Sequence, residues 1–265
     1  MKSTIRTRIL VLGMFLGLAN ACPAHYSMLF PETNSARLGQ PVSVIYQWGH
    51  PFEHQLGDAN APLSATVLTP SGKKVDVTKE VEPLEVPGLE GKKVRTFRFQ
   101  FVPQERGDFI FVLVTAPIWM PEEKAFVQDT VQVMLHVQIQ KGWDARPGGK
   151  MEMTPLTRPY GLQPGMTFQA RVRSEDRPMA ATLVEIERYN PTPPAVLPPD
   201  EHITRTVKTD ADGVFTASLM EPGWWGMTAS SEGGKKERQG KSYPVRERVT
   251  FWAFVDDLKQ PMPSK

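Results

Sequence analysis

The sequence predicts an all-β protein built from two β-sandwich domains. Short stretches of alternating apolar and polar residues recur about every ten residues, which is typical of sandwich strands. Turn sequences such as residues 69–72 (TPSG) and 105–108 (ERGD) separate these stretches. The 25 prolines and 20 glycines disfavour long helices, because both residue types destabilise a helix interior.

The first domain is predicted over residues 25–141 as an immunoglobulin-like sandwich. The alternating pattern places its strands at residues 42–48, 65–69, 94–102, 108–115 and 129–139. Residues 142–157, which are rich in glycine, proline and charge, are interpreted as a linker.

The second domain is predicted over residues 158–257, followed by a disordered tail at 258–265. Its strands are expected at residues 168–172, 181–188, 204–209, 213–219, 225–230 and 249–255. Residues 190–199 carry clustered prolines, which cannot donate to a strand ladder, and must loop out. A tight turn is predicted at residues 210–213 (DADG). With this turn, the polar hairpin at residues 174–178 and the PGWWG sequence at 222–226, the domain looks like a prealbumin-like or carboxypeptidase-regulatory-like sandwich.

The first 24 residues predict a signal peptide. Lys2, Arg6 and Arg8 form a basic start, residues 9–18 are uncharged and apolar, and small residues follow. The apolar stretch is shorter than the roughly 20 residues of a membrane-spanning helix. A periplasmic mature protein without a transmembrane segment is therefore expected.

Two cleavage positions are consistent with this signal. Cleavage after Ala24 would make His25 the mature N-terminus, with small residues before the cut. Cleavage after Ala21 would expose Cys22 for lipid attachment, although Ala19 stands where such sequences prefer leucine. We favour cleavage after Ala24.

Charge and cysteine content argue against two kinds of site. Loss of residues 1–24 lowers the formal charge from +2 to −1 and leaves no long basic stretch, which argues against a nucleic-acid partner. Cys22 is the only cysteine in the 265-residue sequence, so the mature chain has no internal disulfide and no thiolate ligand.

Three of the five histidines form a candidate metal site: His25, His50 and His54, together with Glu53. As a mature N-terminus, His25 would offer both its imidazole and its α-amine to one ion. His50, Glu53 and His54 lie within five residues, on a sharp turn expected after a strand. Nitrogen donors of this kind favour Ni²⁺, Co²⁺, Cu²⁺ or Zn²⁺ over Ca²⁺ and Mg²⁺.

Other interpretations of these residues stay open. The sequence HPFEH also matches an inverted zinc-peptidase motif, but Pro51 and the glycine-rich surroundings argue against the helix which that motif needs. His136 is expected to be a half-buried sheet residue, and His202 a solvated loop residue. Six tryptophans would also be compatible with a carbohydrate-binding or structural adhesion module.

Three features of the sequence together resemble one known family. They are a signal ending in Ala-His, a GHPFE segment after the first strand, and a second domain that contains TDADGVF and PGWWG. This family comprises the extracytoplasmic metal-binding components of bacterial nickel/cobalt energy-coupling-factor uptake systems, nickel-uptake accessory proteins with a prealbumin-like C-terminal domain. The resemblance implies a non-catalytic periplasmic protein that binds Ni²⁺ or Co²⁺ and delivers it to membrane-embedded transporter subunits. His25 and His50 would be ligands, supported by His54 and Glu53. A periplasmic copper carrier would use the same residues.

Overall fold

The computed structural model describes residues 25–88 and 91–257. The predicted signal peptide at 1–24, which includes Cys22, and the predicted tail at 258–265 lie outside these residues. In the described part, no helix is long and apolar enough to cross a membrane.

The first half of the chain folds almost entirely into strands. A single turn of 3₁₀ helix at Thr78–Glu80 interrupts them. The strands are β1 (Tyr26–Pro31), β2 (Ser35–Ala36), β3 (Val42–His50), β4 (Gln55–Gly57), β5 (Pro62–Leu68), β6 (Lys74–Asp76), β7 (Glu82–Pro87), β8 (Lys93–Phe101), β9 (Gly107–Thr115), β10 (Ile118–Met120) and β11 (Ala125–Val137).

The second half is also made of strands, with one short helix, α1 (Asp200–Ile203), after the proline-rich loop. The strands are β12 (Met151–Pro155), β13 (Met166–Ser174), β14 (Arg177–Pro178), β15 (Leu183–Arg188), β16 (Arg205–Lys208), β17 (Val214–Leu219), β18 (Gly223–Arg238) and β19 (Lys241–Val255). The predicted all-β sandwich fold is confirmed.

Among residues 25–88 and 91–257, the strands form three sheets. The first has the order β1-β3-β8-β7, with β4 beside β3. The second, the central sheet, runs β16-β15-β18-β19-β11-β9-β5-β6, with β2 and β10 beside β11. The third has the order β12-β13-β14, with β17 beside β13.

The central sheet contributes to a hydrophobic core on each of its faces. Along β9, Phe109 and Phe111 belong to the core shared with the first sheet, whereas Ile110 and Val112 belong to the core shared with the third. A strand covered on both faces is apolar throughout, because successive side chains point to opposite sides. The two sandwiches therefore share one sheet and form three layers.

A parallel pairing between β11 and β19 joins the two halves within this sheet. Asp129 and Arg248 lie opposite each other in the register and form a buried ion pair with Nε–Oδ1 and Nη2–Oδ2 distances of 2.6 and 2.9 Å. Further along β19, Trp252 packs into the core that the central sheet shares with the first sheet, although it comes from the second half of the sequence.

The structure adds strands that the alternation of residues does not reveal. Within the predicted linker, Met151–Pro155 is a fully buried strand that pairs with β13. Met151 and Met153 belong to the core that the central sheet shares with the third sheet. Burial of these apolar side chains therefore orders a segment whose glycines and proline indicate a linker. The first strand, Tyr26–Pro31, is buried at every position and shows no alternation for the same reason.

Candidate metal centre

The pairing of the first strand with β3 brings His25 and His50 together. Tyr26 is opposite Gly49 in this antiparallel pair. His25, which precedes Tyr26, therefore lies opposite His50, which follows Gly49. The two imidazole centroids are 4.1 Å apart, with the rings tilted by 50°. This contact joins histidines that are 25 residues apart in the sequence.

Trp48 provides one wall of the site. It lies two residues before His50 on β3, and alternate residues of a strand share a face. The indole stacks on the His25 ring with a centroid distance of 4.3 Å and an interplanar angle of 14°. The His25 ring is thus held against the indole, and both imidazoles are half-buried.

The backbone at Gly49 requires glycine. Its φ is +148°, and a Cβ atom there would lie 2.1 Å from the carbonyl oxygen of Gln55 on β4. Residues 51–54 form the turn that joins β3 to β4, as the sequence predicts. The HPFEH segment is therefore a hairpin turn, not the helix of a zinc peptidase.

Burial keeps both imidazoles in the form that binds metal. Burial, helped by the charges of His50 and Arg248 and opposed by that of Glu122, lowers the pKa of His25 to about 4. Burial also lowers the pKa of His50, against the opposing charge of Glu53. Neutral rings at neutral pH keep a free nitrogen lone pair, which metal coordination needs.

Two buried polar atoms at this site have no hydrogen-bond partner among the residues that the structure describes. They are Nδ1 of His25 and Oε2 of Glu53. Buried polar atoms are normally hydrogen-bonded, and an exception calls for an explanation such as a bound ion. Both atoms belong to residues that the sequence predicts as ligands.

His54, the remaining predicted ligand, faces a different neighbour. Its φ is +54°, and its Nδ1–H donates to the carbonyl oxygen of Asn190 at 2.9 Å. The nearest ring contact is Tyr189, at a centroid distance of 5.7 Å. In the described part of the chain, no ring contact joins His54 to His25 or His50.

The second half of the chain holds the turn in place. The Asn190 backbone N–H donates to the carbonyl oxygen of Pro51, and its side-chain Nδ2 donates to that of Phe52 at 2.6 Å. The Phe52 N–H donates to Oε1 of Glu187 at 3.2 Å. The turn that follows His50 is therefore positioned by residues more than 130 positions away in the sequence.

Glu187, which accepts the hydrogen bond from the Phe52 backbone, is a buried carboxyl group. It is 2% exposed. Burial, together with the nearby charges of Glu53 and Glu185, raises its pKa to about 7, although hydrogen bonds from Thr204 and from the Phe52 backbone oppose the shift. Its protonation therefore changes near neutral pH.

Across residues 25–88 and 91–257, no group of three or more His, Cys, Asp or Glu side chains is arranged to hold an ion. What the side chains offer is a pair of imidazoles with Glu53 nearby. The α-amine of His25, which cleavage after Ala24 would create, is the additional donor that the sequence predicts.

His136 is placed as the sequence predicts, whereas His202 is exposed as expected but lies in a short helix rather than in a loop. His136 is a half-buried residue of β11 whose Nδ1 is 2.7 Å from Oδ1 of Asp108. His202 is an exposed residue of α1.

The sequence shows Trp48 two residues from His50, but the partnership of Asn190 and Glu187 with this turn leaves no sequence signal. The alternation of Trp48 and His50 on one strand predicts a shared face. Hydrogen bonds across more than 130 residues depend on the tertiary fold alone.

None of the six tryptophans is fully exposed. Trp119 packs against Phe126 and Tyr243, and Trp224 against Phe30 and Phe254. Trp143 lies against the core that the central sheet shares with the third sheet.

Solved structures with similar regions are diverse. A candidate carbohydrate-binding protein from Pseudomonas aeruginosa is 17% identical, with a TM-score of 0.21 over 32% of this chain and 70% of that one. Trypsin-activated α2-macroglobulin from Escherichia coli is 14% identical, with a TM-score of 0.24 over 87% of this chain and 16% of that one. Two fibronectin type-III domains of chicken tenascin are 10% identical, with a TM-score of 0.22 over 88% and 100%. These scores are too low to inform function.

Comparison with curated protein sequences finds no match. One family matches, over residues 22–233, which includes the whole candidate site and most of both sandwiches. The chain belongs to this family, which is described as Domain of unknown function (DUF4198).

Proposed function

We propose that this protein binds a divalent transition-metal ion, Ni²⁺ or Co²⁺, through His25 and His50 and delivers it to a membrane-embedded uptake transporter. The observation that carries the proposal is the contact between the two imidazoles; the buried Nδ1 of His25 has no hydrogen-bond partner in the described part of the chain. Imidazole nitrogens suit these ions and suit Ca²⁺ or Mg²⁺ poorly.

The remaining donors follow from the same neighbourhood. After cleavage behind Ala24, the α-amine of His25 would form a chelate with its own imidazole, and His50 would complete a set of nitrogen donors. Glu53 would contribute negative charge beside the ion. His54 fixes the turn through Asn190, so we assign it a supporting role.

The open position of the proposed site is compatible with reversible binding, which delivery of the ion to a transporter requires. The site lies at a strand end and a hairpin turn, and both rings are half-buried rather than enclosed. An ion held there can be passed to a partner with a stronger site. The resemblance to nickel/cobalt uptake components supports this transport role and a periplasmic location.

Calorimetric titration of the chain beginning at His25 with Ni²⁺ tests the proposal. Changes outside the ligand set of a metal site cost about 10–100-fold in affinity, so His25→Ala or His50→Ala should each weaken binding by about 100-fold or more. His202→Ala, an exposed histidine elsewhere, is the matched control and should leave affinity unchanged. Unchanged affinity in both ligand variants would refute the site.

A variant with one glycine added before His25 tests the role of the amine. The extension displaces the α-amine and keeps both imidazoles, so affinity should fall as in the ligand variants.

A copper carrier is the alternative that the same donors favour, because intrinsic affinity rises from Ni²⁺ to Cu²⁺ at nearly any such site. Competition between Ni²⁺, Co²⁺, Cu²⁺ and Zn²⁺ in the same calorimetric format would rank the ions. Uptake of ⁶³Ni²⁺ by cells with and without the protein would then identify the ion that is delivered.

A further inference from the structure

A cleft of about 380 Å³ lies beside the turn that follows His50. Its lining does not include the proposed metal-binding residues His25, His50 and Glu53. Its walls come from the second half of the chain, with Phe52 as the contribution of the turn. A volume of this size falls in the range of small-molecule sites.

The lining divides almost evenly between apolar and polar surface. Phe52, Ile203, Met220 and Trp225 supply hydrocarbon and aromatic surface. Trp225 is only 3% exposed, and the guanidinium of Arg205 lies 4.5 Å from its ring centroid. The indole face is therefore covered, which argues against a sugar stacked on it.

Two guanidinium groups, those of Arg188 and Arg205, supply the polar part of the lining together with His202 and Glu221. Arg188 is engaged: Nη1 is 3.0 Å from Oε2 of Glu221, and Nε donates to the carbonyl oxygen of Pro222. Arg205 is half-buried and forms no salt bridge within the described residues. Burial lowers its pKa, and only the charge of Glu221 opposes that shift.

Two guanidinium groups and one carboxylate line the cleft, so one positive charge is left over among these three side chains. Arg188 and Glu221 neutralise each other, and Arg205 remains. A guanidinium is well matched to a carboxylate, which accepts two parallel hydrogen bonds from it. Glu221 at the same cleft disfavours ligands with several negative charges.

We propose that this cleft binds a small organic monocarboxylate, with its carboxylate on Arg205 and its apolar body against Phe52, Ile203 and Met220. This site does not depend on the metal-binding function.

Titration of the chain beginning at His25 with phenylacetate, in the presence of EDTA, tests the proposal by calorimetry. Phenylacetate should bind, whereas benzyl alcohol and benzylamine of similar size should bind at least about tenfold more weakly, since hydrogen bonds to charged groups carry such discrimination. EDTA removes metal ions, so failure here is distinguishable from failure of the metal site.

Arg205→Gln should weaken phenylacetate binding by about ten- to a hundredfold. Arg238→Gln is the matched control, because Arg238 is exposed and also lies over a tryptophan, 5.1 Å from the ring of Trp119. Met220→Glu provides a second variant at a position that is 57% exposed and tolerant of substitution. It places a charged group against the apolar body of the ligand and should weaken binding as well.

The proposal is overturned if phenylacetate fails to bind at millimolar concentration, or if benzyl alcohol binds equally well. It is also overturned if folded Arg205→Gln and Met220→Glu proteins both bind phenylacetate as the unmodified chain does.

Discussion

His25 and His50 are neutral histidines in a setting that removes water from their rings. Burial lowers both pKa values, and Trp48 covers one face of His25. The chemistry of the site is thus set by neighbours rather than by the histidines themselves. Glu187, which binds the Phe52 backbone of the same turn, carries the opposite shift because burial raises a carboxyl pKa.

Glu187 makes the stability of the metal-free protein depend on pH. Its pKa is about 7 in the folded chain, against a usual value of 4.5. Between these two values the unfolded chain loses the proton while the folded chain keeps it. The free energy of unfolding should therefore fall as pH rises from about 4.5 to 7, by about 3 kcal/mol at most, and then level off.

Glu187→Gln should remove that slope. Glutamine keeps the shape and a carbonyl acceptor for the Phe52 N–H, but it cannot ionise. Urea denaturation of both proteins in EDTA, from pH 5 to pH 8, should show the variant gaining stability relative to the unmodified chain as pH rises. Parallel curves would show that Glu187 ionises normally in the fold.

At the scale of elements, the hairpin of β3 and β4 determines whether the site exists. β3 carries Trp48 and His50 on one face, and its pairing with β1 places His25 beside them. The tight approach of β4 to Gly49 fixes the direction in which the turn leaves the strand.

Gly49→Ala should destabilise the protein by roughly 3 kcal/mol or more, since it combines an unfavourable backbone angle with a collision against Gln55. Gly72→Ala separates the two causes, because Gly72 has a φ of +85° and open space around it. Its cost should be only about 1–2 kcal/mol. Equal losses in chemical denaturation would mean that the collision is relieved.

At the scale of the molecule, the shared central sheet makes the two sandwiches one structural unit. β11 and β19 pair in parallel, and the Asp129–Arg248 ion pair is buried at that junction. Ser27 on β1 also donates to Asp129 at 2.6 Å, so this pair connects the strand that follows His25 to both halves of the chain.

Asp129→Asn should lower the free energy of unfolding by about 3–5 kcal/mol, because it leaves the buried Arg248 charge without a partner. The control is Glu85→Gln, which breaks an ion pair with Lys93 whose side chains are 67% and 73% exposed; exposed pairs contribute about 1 kcal/mol or less. Fluorescence and circular dichroism should report one shared unfolding transition. Separate transitions would contradict a single unit.

Much of this structure follows from local sequence patterns. The strands at β3, β8 and β9, the turn at residues 210–213 and the loop at 190–199 are predictable, because alternation and turn chemistry are short-range signals. β1 and β12 escape such prediction because each is buried at every position. The histidines could be named from spacing, but the contact of His25 with His50 depends on strand register, and the clamp by Asn190 and Glu187 on tertiary folding.

The X-ray absorption spectrum of the Ni²⁺-loaded chain beginning at His25 examines the coordination itself. We predict nitrogen and oxygen donors with the scattering of two imidazole rings, reduced to one ring in His50→Ala. A spectrum without imidazole scattering, or one that His50→Ala leaves unchanged, would contradict a metal site formed by His25 and His50.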